Sequence, residues 1–352
     1  MATTEPTVLR AIYPRARGGV TLRGDGAGLD WFTSRAPDAI DGDTSIFKLD
    51  VQPTDAVQVK LVRDDGKWMV GRNPVIGHRD QLVLRPSFDR TTGELSGLRT
   101  VDLPWGGAIH IRVFVPPSYA EQELHRYPVL YCQDGQSVWS DGTDPFGVWH
   151  LDRVLDDLWD MGALDEIIVV SIDTGVGRLD RLAPVPDPHH GGGQDSAHHL
   201  RAMVEVLKPL IDREYRTRSE REATVMLGSS MGGLFSFWAA WQHPEVFGGA
   251  ICLSPSFWWG ERFALDLVQK VCPSPQPVLY LDCGNAASGF EADASTRDGN
   301  HNTRALFRAL RDHCYAATDD LTLLNWPGHH HDSASWAARV ATPLQMFFPR
   351  AD

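Results

Sequence analysis

The sequence predicts an α/β domain with a mainly parallel central sheet, preceded by a smaller β-sandwich. In the later part of the chain, short apolar runs alternate with longer helical segments, which is typical of parallel strands joined by helices. In the earlier part, apolar and polar residues alternate between frequent turns, which is typical of antiparallel strands. We therefore expect a β-sandwich over residues 1–90 and the α/β domain over residues 91–352.

The N-terminal part contains two clear alternating runs, at residues 45–51 and 57–62. The turn at residues 64–67 contains Asp-Gly and predicts a hairpin. Between residues 85 and 107 the chain becomes polar and contains several glycines, which is typical of a connection between domains. These features place the boundary near residue 90.

The later part contains six apolar runs that are predicted as buried strands: 127–132, 167–172, 223–227, 250–253, 278–281 and 321–325. Four intervening segments are predicted as helices: 151–159, 197–215, 233–243 and 303–313. Because the apolar runs are continuous, both faces of the sheet should be covered by helices.

Charge and length exclude some functions. The 352 residues include 46 acidic and 33 basic ones, giving a formal net charge of -13. We find no run rich in lysine and arginine, so we expect no nucleic-acid partner. The N-terminus lacks a basic segment followed by an apolar one, and no stretch reaches membrane-spanning length. We therefore expect no membrane partner and a cytoplasmic protein.

The five cysteines are odd in number and show no Cys-x-x-Cys spacing. Cys132, Cys252 and Cys283 fall within apolar runs, where buried thiols act as small hydrophobic groups. This pattern predicts reduced cysteines, as in proteins of reducing compartments.

A Gly-x-Ser-x-Gly motif at residues 228–232 lies between a predicted strand and a predicted helix. This context is that of the nucleophile elbow of an α/β-hydrolase fold, in which small residues allow a tight, strained turn. Ser230 is the candidate nucleophile. The amide of Met231, directly after it, is a candidate donor to the oxyanion that forms when an ester is attacked.

A serine hydroxyl needs a general base, which comes last in the chain of α/β-hydrolases. Three adjacent histidines, at residues 329–331, follow the final predicted strand, and periodicity does not choose among them. Adjacent residues do not easily face one metal ion, and the pairs at 189–190 and 198–199 are interpreted as solvated loop residues. We expect no metal and no cofactor.

Several motifs together resemble the esterase D family, which includes enterochelin (ferric siderophore) esterases as well as feruloyl and acetyl-xylan esterases. The resemblance covers residues 108–345 and rests on 131–136, 207–212 with 215–217, the elbow, and Ser254-Pro255-Ser256-Phe257-Trp258-Trp259. It implies a serine esterase with an α/β-hydrolase fold.

The resemblance also implies the partners of Ser230. His331 is followed by Asp332 and, five residues on, by Trp336, which is the family's arrangement around its catalytic histidine. The family places its acid in the loop after the strand at 278–281. The segment 285–300 is longer than the family pattern, and Glu291 is our first choice. The alternative acids are Asp282, Asp293 and Asp298.

Further site residues follow from the same resemblance. The second oxyanion donor is expected at Gly135 or Gln136, in the loop after an early strand. Independently of the resemblance, five tryptophans fall in predicted loops near the site: Trp139, Trp149, Trp258, Trp259 and Trp336. Trp139, Trp258 and Trp259 are the candidates for stacking on a planar acyl group, with packing in the core or rim as the alternative for each. Arg178 begins an Arg-x-x-Glu-Leu pattern of siderophore esterases, but this chain has Arg181 at the acidic position. That departure weakens a specific claim to ferric siderophores.

The expected substrate is a small-molecule or sugar-linked ester. Residues 24–31, 64–68 and 73–74 of the N-terminal part resemble early-set immunoglobulin-like modules. Such modules cover an active-site edge or form dimer contacts, so a homodimer is one expectation, and sugar binding through Trp31 or Trp68 is the alternative. Feruloyl or acetyl-xylan esterase activity is an alternative. An acyltransferase and a noncatalytic glycan-binding protein with a hydrolase fold are two further alternatives.

Overall fold

The computed structural model describes residues 6–286, 297–316 and 320–350. The strands are β1 (Thr7–Ile12), β2 (Val20–Gly24), β3 (Ala39–Asp41), β4 (Thr44–Leu49), β5 (Ala56–Arg63), β6 (Val75–Gly77), β7 (Gln81–Leu84), β8 (Glu94–Leu95), β9 (Arg99–Asp102), β10 (Ala108–Val115), β11 (Val129–Gln133), β12 (Ile168–Asp173), β13 (Thr224–Ser229), β14 (Gly249–Leu253), β15 (Val278–Gly284) and β16 (Leu321–Trp326). The α-helices are α1 (Gly135–Val138), α2 (Leu151–Asp160), α3 (Arg178–Leu182), α4 (Ser196–Ala202), α5 (Lys208–Glu214), α6 (Met231–Gln242), α7 (Trp259–Lys270), α8 (Asn300–His313), α9 (Ser333–Arg339) and α10 (Ala341–Phe347).

The N-terminal strands form two small sheets, ordered β3-β4-β1-β7 and β2-β5-β6. Alternate residues of β5, including Val57, Val59 and Leu61, are buried in a core that also takes Leu9 and Phe47 from the other sheet. The alternation in sequence therefore marks the inward faces of both sheets. This strand content is compatible with the predicted β-sandwich.

The larger sheet takes nine of the described strands, in the order β16-β15-β14-β13-β11-β12-β10-β8, with β9 also paired to β10. The strands from β11 to β16 run parallel to one another, whereas β10 is antiparallel to β12. The prediction of a mainly parallel central sheet is confirmed. The carboxyl ends of its parallel strands all lie at one edge, where α/β proteins place their sites.

Helices cover both faces of this sheet. Tyr131 and Met226 belong to the apolar core on one face, while their chain neighbours Leu130, Val225 and Leu227 belong to the core on the other. Successive residues of a strand point to opposite faces, so continuous apolar runs are required here.

A buried carboxylate ties the two parts of the chain together. Glu121 is 1% exposed and accepts hydrogen bonds from the hydroxyl of Tyr13 (3.0 Å) and the backbone amides of Phe88 (2.9 Å) and Asp89 (2.8 Å). The Ser87 hydroxyl donates to it as well, at 3.0 Å. The chain at residues 87–89 is therefore held in place by a side chain that lies between β10 and β11.

The prediction of fully reduced cysteines is wrong for two of the five. Cys272, after α7, and Cys314, after α8, form a disulfide across 42 residues, with Cα atoms 5.6 Å apart. The packing of α7 against α8 brings them together, and sequence spacing carries no sign of it. Cys132, Cys252 and Cys283 are buried free thiols, as predicted. Disulfides are typical of oxidising compartments, so the cysteines no longer support a cytoplasmic location.

Within the described ranges, every helix is too short or too polar to cross a bilayer.

Candidate active site

The candidate nucleophile lies at a sharp turn between β13 and α6. Ser230 has φ 54° and ψ -119°, a backbone conformation that L-residues rarely adopt. The turn closes tightly, because a Cβ atom on Gly228 would lie 2.3 Å from the carbonyl carbon of Gly232. The motif therefore needs glycine at this position for steric reasons, and the turn projects Ser230 at the carboxyl edge of the sheet.

Ser230, His331 and Asp298 form a hydrogen-bonded chain. The Ser230 Oγ lies 2.9 Å from His331 Nε2, and His331 Nδ1 lies 2.6 Å from Asp298 Oδ1. The imidazole also packs edge-to-face on Trp336, with ring centroids 5.1 Å apart. This is the arrangement in which a histidine takes the proton of a serine and a carboxylate fixes its tautomer.

The turn after β16 separates the three adjacent histidines. His331 is placed against Ser230, whereas the His329 ring contacts the backbone carbonyl of Ser335 at 3.3 Å. The amide of His330 donates to the Ser335 hydroxyl at 2.9 Å. Asp332 caps α9 by accepting a hydrogen bond from the Ser335 amide at 2.8 Å, which stabilises the turn that presents His331.

Two of the four candidate acids can be placed. Asp298, given above as an alternative, contacts the histidine, while Glu291 and Asp293 lie outside the described residues. Asp282 is directed elsewhere, because its Oδ2 lies 3.0 Å from Arg339 Nε and its Oδ1 accepts from the Ser254 amide at 2.9 Å. The choice of Glu291 depended on a loop register that the sequence does not fix.

Asp298 is surrounded by hydrogen-bond donors. The Ser254 hydroxyl donates to its Oδ2 at 2.6 Å, and the amide of Gly284 donates to the same oxygen. Burial raises the pKa of Asp298, but the hydrogen bonds from His331, Ser254 and Gly284 outweigh it and hold the pKa below its usual value. The carboxylate is therefore ionised and accepts the Nδ1 proton of His331.

A fully buried arginine lies between two carboxylates behind the site. Arg339 and Asp282 are both 0% exposed, and Arg339 Nη2 lies 3.9 Å from Asp298 Oδ2. Burial raises the pKa of Asp282 to about 6, although the Arg339 guanidinium opposes the shift. Sequence reasoning missed Arg339, since nothing in its helical context marks it as buried.

The predicted oxyanion donors lie at the starts of two helices. Gly135 and Gln136 open α1, after β11, and Met231 opens α6, after the neighbouring parallel strand β13. The first amides of a helix have no partner inside it and are free to bind an anion. Gly135 lies close to the end of β12, because a Cβ atom there would lie 3.1 Å from the backbone nitrogen of Asp173.

A comparison with protein families identifies the family of this chain. The model of the family described as "Putative esterase" matches residues 104–344, which is more than half of the chain. The chain belongs to this esterase family. Esterase activity therefore has support from the family as well as from the arrangement of side chains.

Curated relatives are similar to this chain in sequence, and solved structures are similar to it in fold. The ferri-bacillibactin esterase BesA of Bacillus subtilis is 32% identical over 127 residues, which cover 35% of this chain and 41% of BesA. The uncharacterized protein YbbA of the same organism is 25% identical over 226 residues, covering 62% of this chain and 85% of YbbA. The enterobactin esterase FES of Shigella flexneri has a TM-score of 0.56 at 16% identity, covering 94% of this chain and 87% of FES. A ferulic acid esterase has a TM-score of 0.57 at 17% identity, covering 74% of this chain and 100% of that one.

In this esterase, Arg178 is hydrogen-bonded to the loop that carries the candidate oxyanion donors Gly135 and Gln136. Its Nε and Nη2 each donate to the carboxylate of Asp134 at 2.7 Å, and the Thr174 hydroxyl donates to the same group at 2.5 Å. Asp134 has φ 58° and directly precedes Gly135. The bidentate pair therefore fixes the turn that carries the candidate amides. Arg178 was predicted for substrate binding; the structure shows its pairing with Asp134, and a contact with substrate stays a prediction.

Of the three candidate tryptophans of the esterase, two are core residues. Trp139 is fully buried, stacks on Phe114 and donates to the Ser171 hydroxyl at 2.8 Å. Trp259 is buried as well, and its indole donates to the Val185 carbonyl at 2.7 Å. Trp258 is 38% exposed. The three tryptophans were grouped because of their position along the chain. Their side chains point in different directions, and only Trp258 is exposed.

Of the two remaining histidine pairs, His189, His190 and His198 are exposed, as expected, whereas His199 is not. His190 accompanies Trp258, with ring centroids 5.1 Å apart, and its Nδ1 lies 2.8 Å from Asp187 Oδ1. His199 is buried rather than solvated, and its Nε2 lies 3.0 Å from Gln133 Oε1. Burial lowers the pKa of His199 to about 4, so it is neutral. In the part of the chain that is described, no group of side chains could hold a metal ion.

Proposed function

We propose that this esterase hydrolyses carboxylic esters through an acyl-enzyme on Ser230, with His331 as proton carrier and Asp298 as the orienting acid. The observation that carries the proposal is the hydrogen-bonded chain from Ser230 through His331 to Asp298, at 2.9 and 2.6 Å.

The reaction follows from this order of groups. Ser230 Oγ attacks the ester carbonyl carbon while its proton passes to His331 Nε2. The oxyanion accepts hydrogen bonds from the Met231 amide and from Gly135 or Gln136. The tetrahedral intermediate then breaks its bond to the alcohol oxygen, which takes the proton from His331. Water, deprotonated by His331, attacks the acyl group and releases the acid together with free Ser230.

The first test is Ser230→Ala with a p-nitrophenyl ester as substrate. Turnover should fall to the rate without enzyme, and the circular dichroism spectrum and melting temperature should be unchanged. Ser229→Ala, which removes the neighbouring hydroxyl, is the matched control and should retain activity. Turnover by the Ser230→Ala variant would refute the proposed nucleophile.

We further propose that the natural substrate carries an aromatic acyl group, as a catecholate siderophore does. The names of two relatives, BesA and the siderophore enterobactin esterase of Emericella nidulans, support a siderophore; the latter is 30% identical over 109 residues. The exposed Trp258, beside the His190 ring, offers a surface on which such a ring can stack.

A feruloyl ester is the second candidate, because a ferulic acid esterase is covered over its full length by this fold. Initial rates with a catecholate trilactone, its ferric complex, methyl ferulate, acetylated xylan and p-nitrophenyl acetate would separate the candidates. A preference for acetyl over aromatic esters would contradict the proposed aromatic acyl group.

For the N-terminal residues 1–90 we propose an immunoglobulin-like β-sandwich. Two facing sheets with a shared core support this topology class. Its aromatic surface includes Trp31 and Trp68, with ring centroids 6.4 Å apart.

A further inference from the structure

We propose that Ser256 is a further catalytic residue, which donates a hydrogen bond to the oxygen of the nucleophile. Its hydroxyl lies 3.2 Å from Ser230 Oγ, and its side chain belongs to a residue only 2% exposed. The inference rests on the proposed roles of Ser230 and His331. Neither the Gly-x-Ser-x-Gly motif nor the proposed triad assigns a role to Ser256.

The direction of this hydrogen bond follows from counting protons. Asp298 accepts the Nδ1 proton of His331 at 2.6 Å, so Nε2 of the neutral ring carries a lone pair. Ser230 therefore gives its single proton to Nε2, at 2.9 Å. The contact between the two hydroxyls then requires Ser256 to donate and Ser230 to accept.

The Ser256 hydroxyl has little choice of partner. Among the described residues, the Ser256 hydroxyl forms a hydrogen bond with Ser230 Oγ alone. Because Ser256 is buried, bulk water does not compete for this hydroxyl. A buried hydroxyl proton without another acceptor should remain directed at Ser230.

Backbone contacts fix the distance between the two hydroxyls. The Ser230 amide donates to the Leu253 carbonyl at 2.9 Å, and the Ser256 amide donates to the Ser230 carbonyl at 3.0 Å. Pro255 packs on the elbow, because a Cβ atom on Gly233 would lie 3.1 Å from Pro255 Cβ. Two backbone hydrogen bonds and the Pro255 contact therefore hold the segment after β14 against the elbow, and they keep the Ser256 hydroxyl next to Ser230 Oγ.

The donated bond should strengthen during the reaction. When His331 takes the proton, negative charge develops on Ser230 Oγ, and hydrogen bonds to charged acceptors are about twice as strong as neutral ones. Only the part of an interaction that is stronger in the transition state accelerates the step. The same applies when the acyl-enzyme breaks down and Oγ becomes the leaving group. We expect a contribution of about tenfold to each step.

The test measures the rate constant kinact and the affinity KI for covalent labelling by a fluorophosphonate, which reacts with the activated serine. Ser256→Ala should lower kinact about tenfold and leave KI within about twofold. Ser256→Thr and Ser256→Val have matching shapes and differ only in the hydroxyl. Their kinact values should therefore also differ about tenfold, even if the larger side chains slow both variants.

Ser236→Ala is the matched control, because Ser236 is a buried serine of α6 whose hydroxyl has no partner among the described residues. It should label at the parental rate. Parental kinact in Ser256→Ala, or equal kinact in the Thr and Val variants, would overturn the role of Ser256. Labelling of Ser230→Ala would instead refute the proposed nucleophile, so the two failures are distinguishable.

Discussion

At the scale of single residues, the site depends on a carboxylate that sequence reasoning named only as an alternative. Asp298 lies 2.6 Å from His331 Nδ1 and accepts further hydrogen bonds from Ser254 and Gly284. These donors keep it ionised in a buried position, which is what the orientation and stabilisation of a protonated histidine require.

Replacing this carboxylate with an amide should disable the histidine. In Asp298→Asn, the amide can donate to Nδ1 and select the wrong tautomer, so kcat should fall about 10³- to 10⁴-fold. Glu291→Gln, which alters the acid first predicted from sequence, should retain parental kcat. Steady-state hydrolysis of a p-nitrophenyl ester measures both. The opposite pattern would return the acid role to Glu291.

Arg339 should be required for the stability of the fold, because two buried carboxylates face its guanidinium group. Arg339→Met leaves Asp282 and Asp298 without their cation and should lower the free energy of unfolding by about 3–5 kcal/mol at neutral pH. Urea unfolding measures this value. Arg311→Met, at an exposed position paired with Asp312, is the control and should change stability by less than about 0.5 kcal/mol.

The same variant should show a defined pH dependence. The folded pKa of Asp282, about 6, lies above the ordinary value of 3.8, so the folded state binds the extra proton between these values. Stability from this group is therefore present at low pH and decreases as pH rises towards 6. Without Arg339 the pKa should rise further, and the destabilisation should be larger at pH 7 than at pH 5. An equal loss at both pH values would contradict this account.

At the scale of elements, the local patterns predicted strands and the elbow well and predicted side-chain direction poorly. The apolar run at 223–227 is a buried strand leading into Ser230, because a central strand must be apolar on both faces. Trp139 and Trp258 both lie in predicted loops near the site, yet Trp139 is buried and Trp258 is exposed. The prediction of the triad acid relied on the length of the loop after β15. Loop length does not determine which carboxylate of the loop contacts the histidine.

The disulfide between Cys272 and Cys314 is another contact between elements that the local sequence pattern does not predict. By closing a loop of 42 residues, it should stabilise the fold by about 4 kcal/mol through the entropy of the unfolded chain. Cys272→Ser combined with Cys314→Ser should lower the guanidinium unfolding free energy by this amount. Dithiothreitol should lower the parent to the same value and leave the double variant unchanged. A parent insensitive to reduction would contradict the pairing.

At the scale of the whole molecule, a buried acid between β10 and β11 binds residues of the N-terminal part of the chain. Glu121 accepts hydrogen bonds from Tyr13, Phe88 and Asp89, and burial is the main cause that raises the pKa of Tyr13 to about 12. Because both parts of the chain share these bonds, they should unfold together.

Removing the Glu121 carboxylate should therefore weaken the attachment of the N-terminal sheets to the rest of the molecule. Glu121→Ala leaves buried donors without an acceptor and should cost roughly 2–4 kcal/mol, or split thermal unfolding into two transitions. Glu123→Ala removes an exposed carboxylate paired with Arg17 and should change stability by less than about 1 kcal/mol. Calorimetry compares the two variants. Equal effects would show that the buried bonds contribute nothing to the attachment.

The account as a whole depends on Ser230 being the atom that carries the acyl group. Its Oγ lies where the elbow, the His331 imidazole and the starts of α1 and α6 meet at one edge of the sheet. The most direct measurement is peptide mapping by mass spectrometry after fluorophosphonate labelling of the parent protein. The account predicts a single adduct on Ser230; an adduct on another residue, or none, would contradict it.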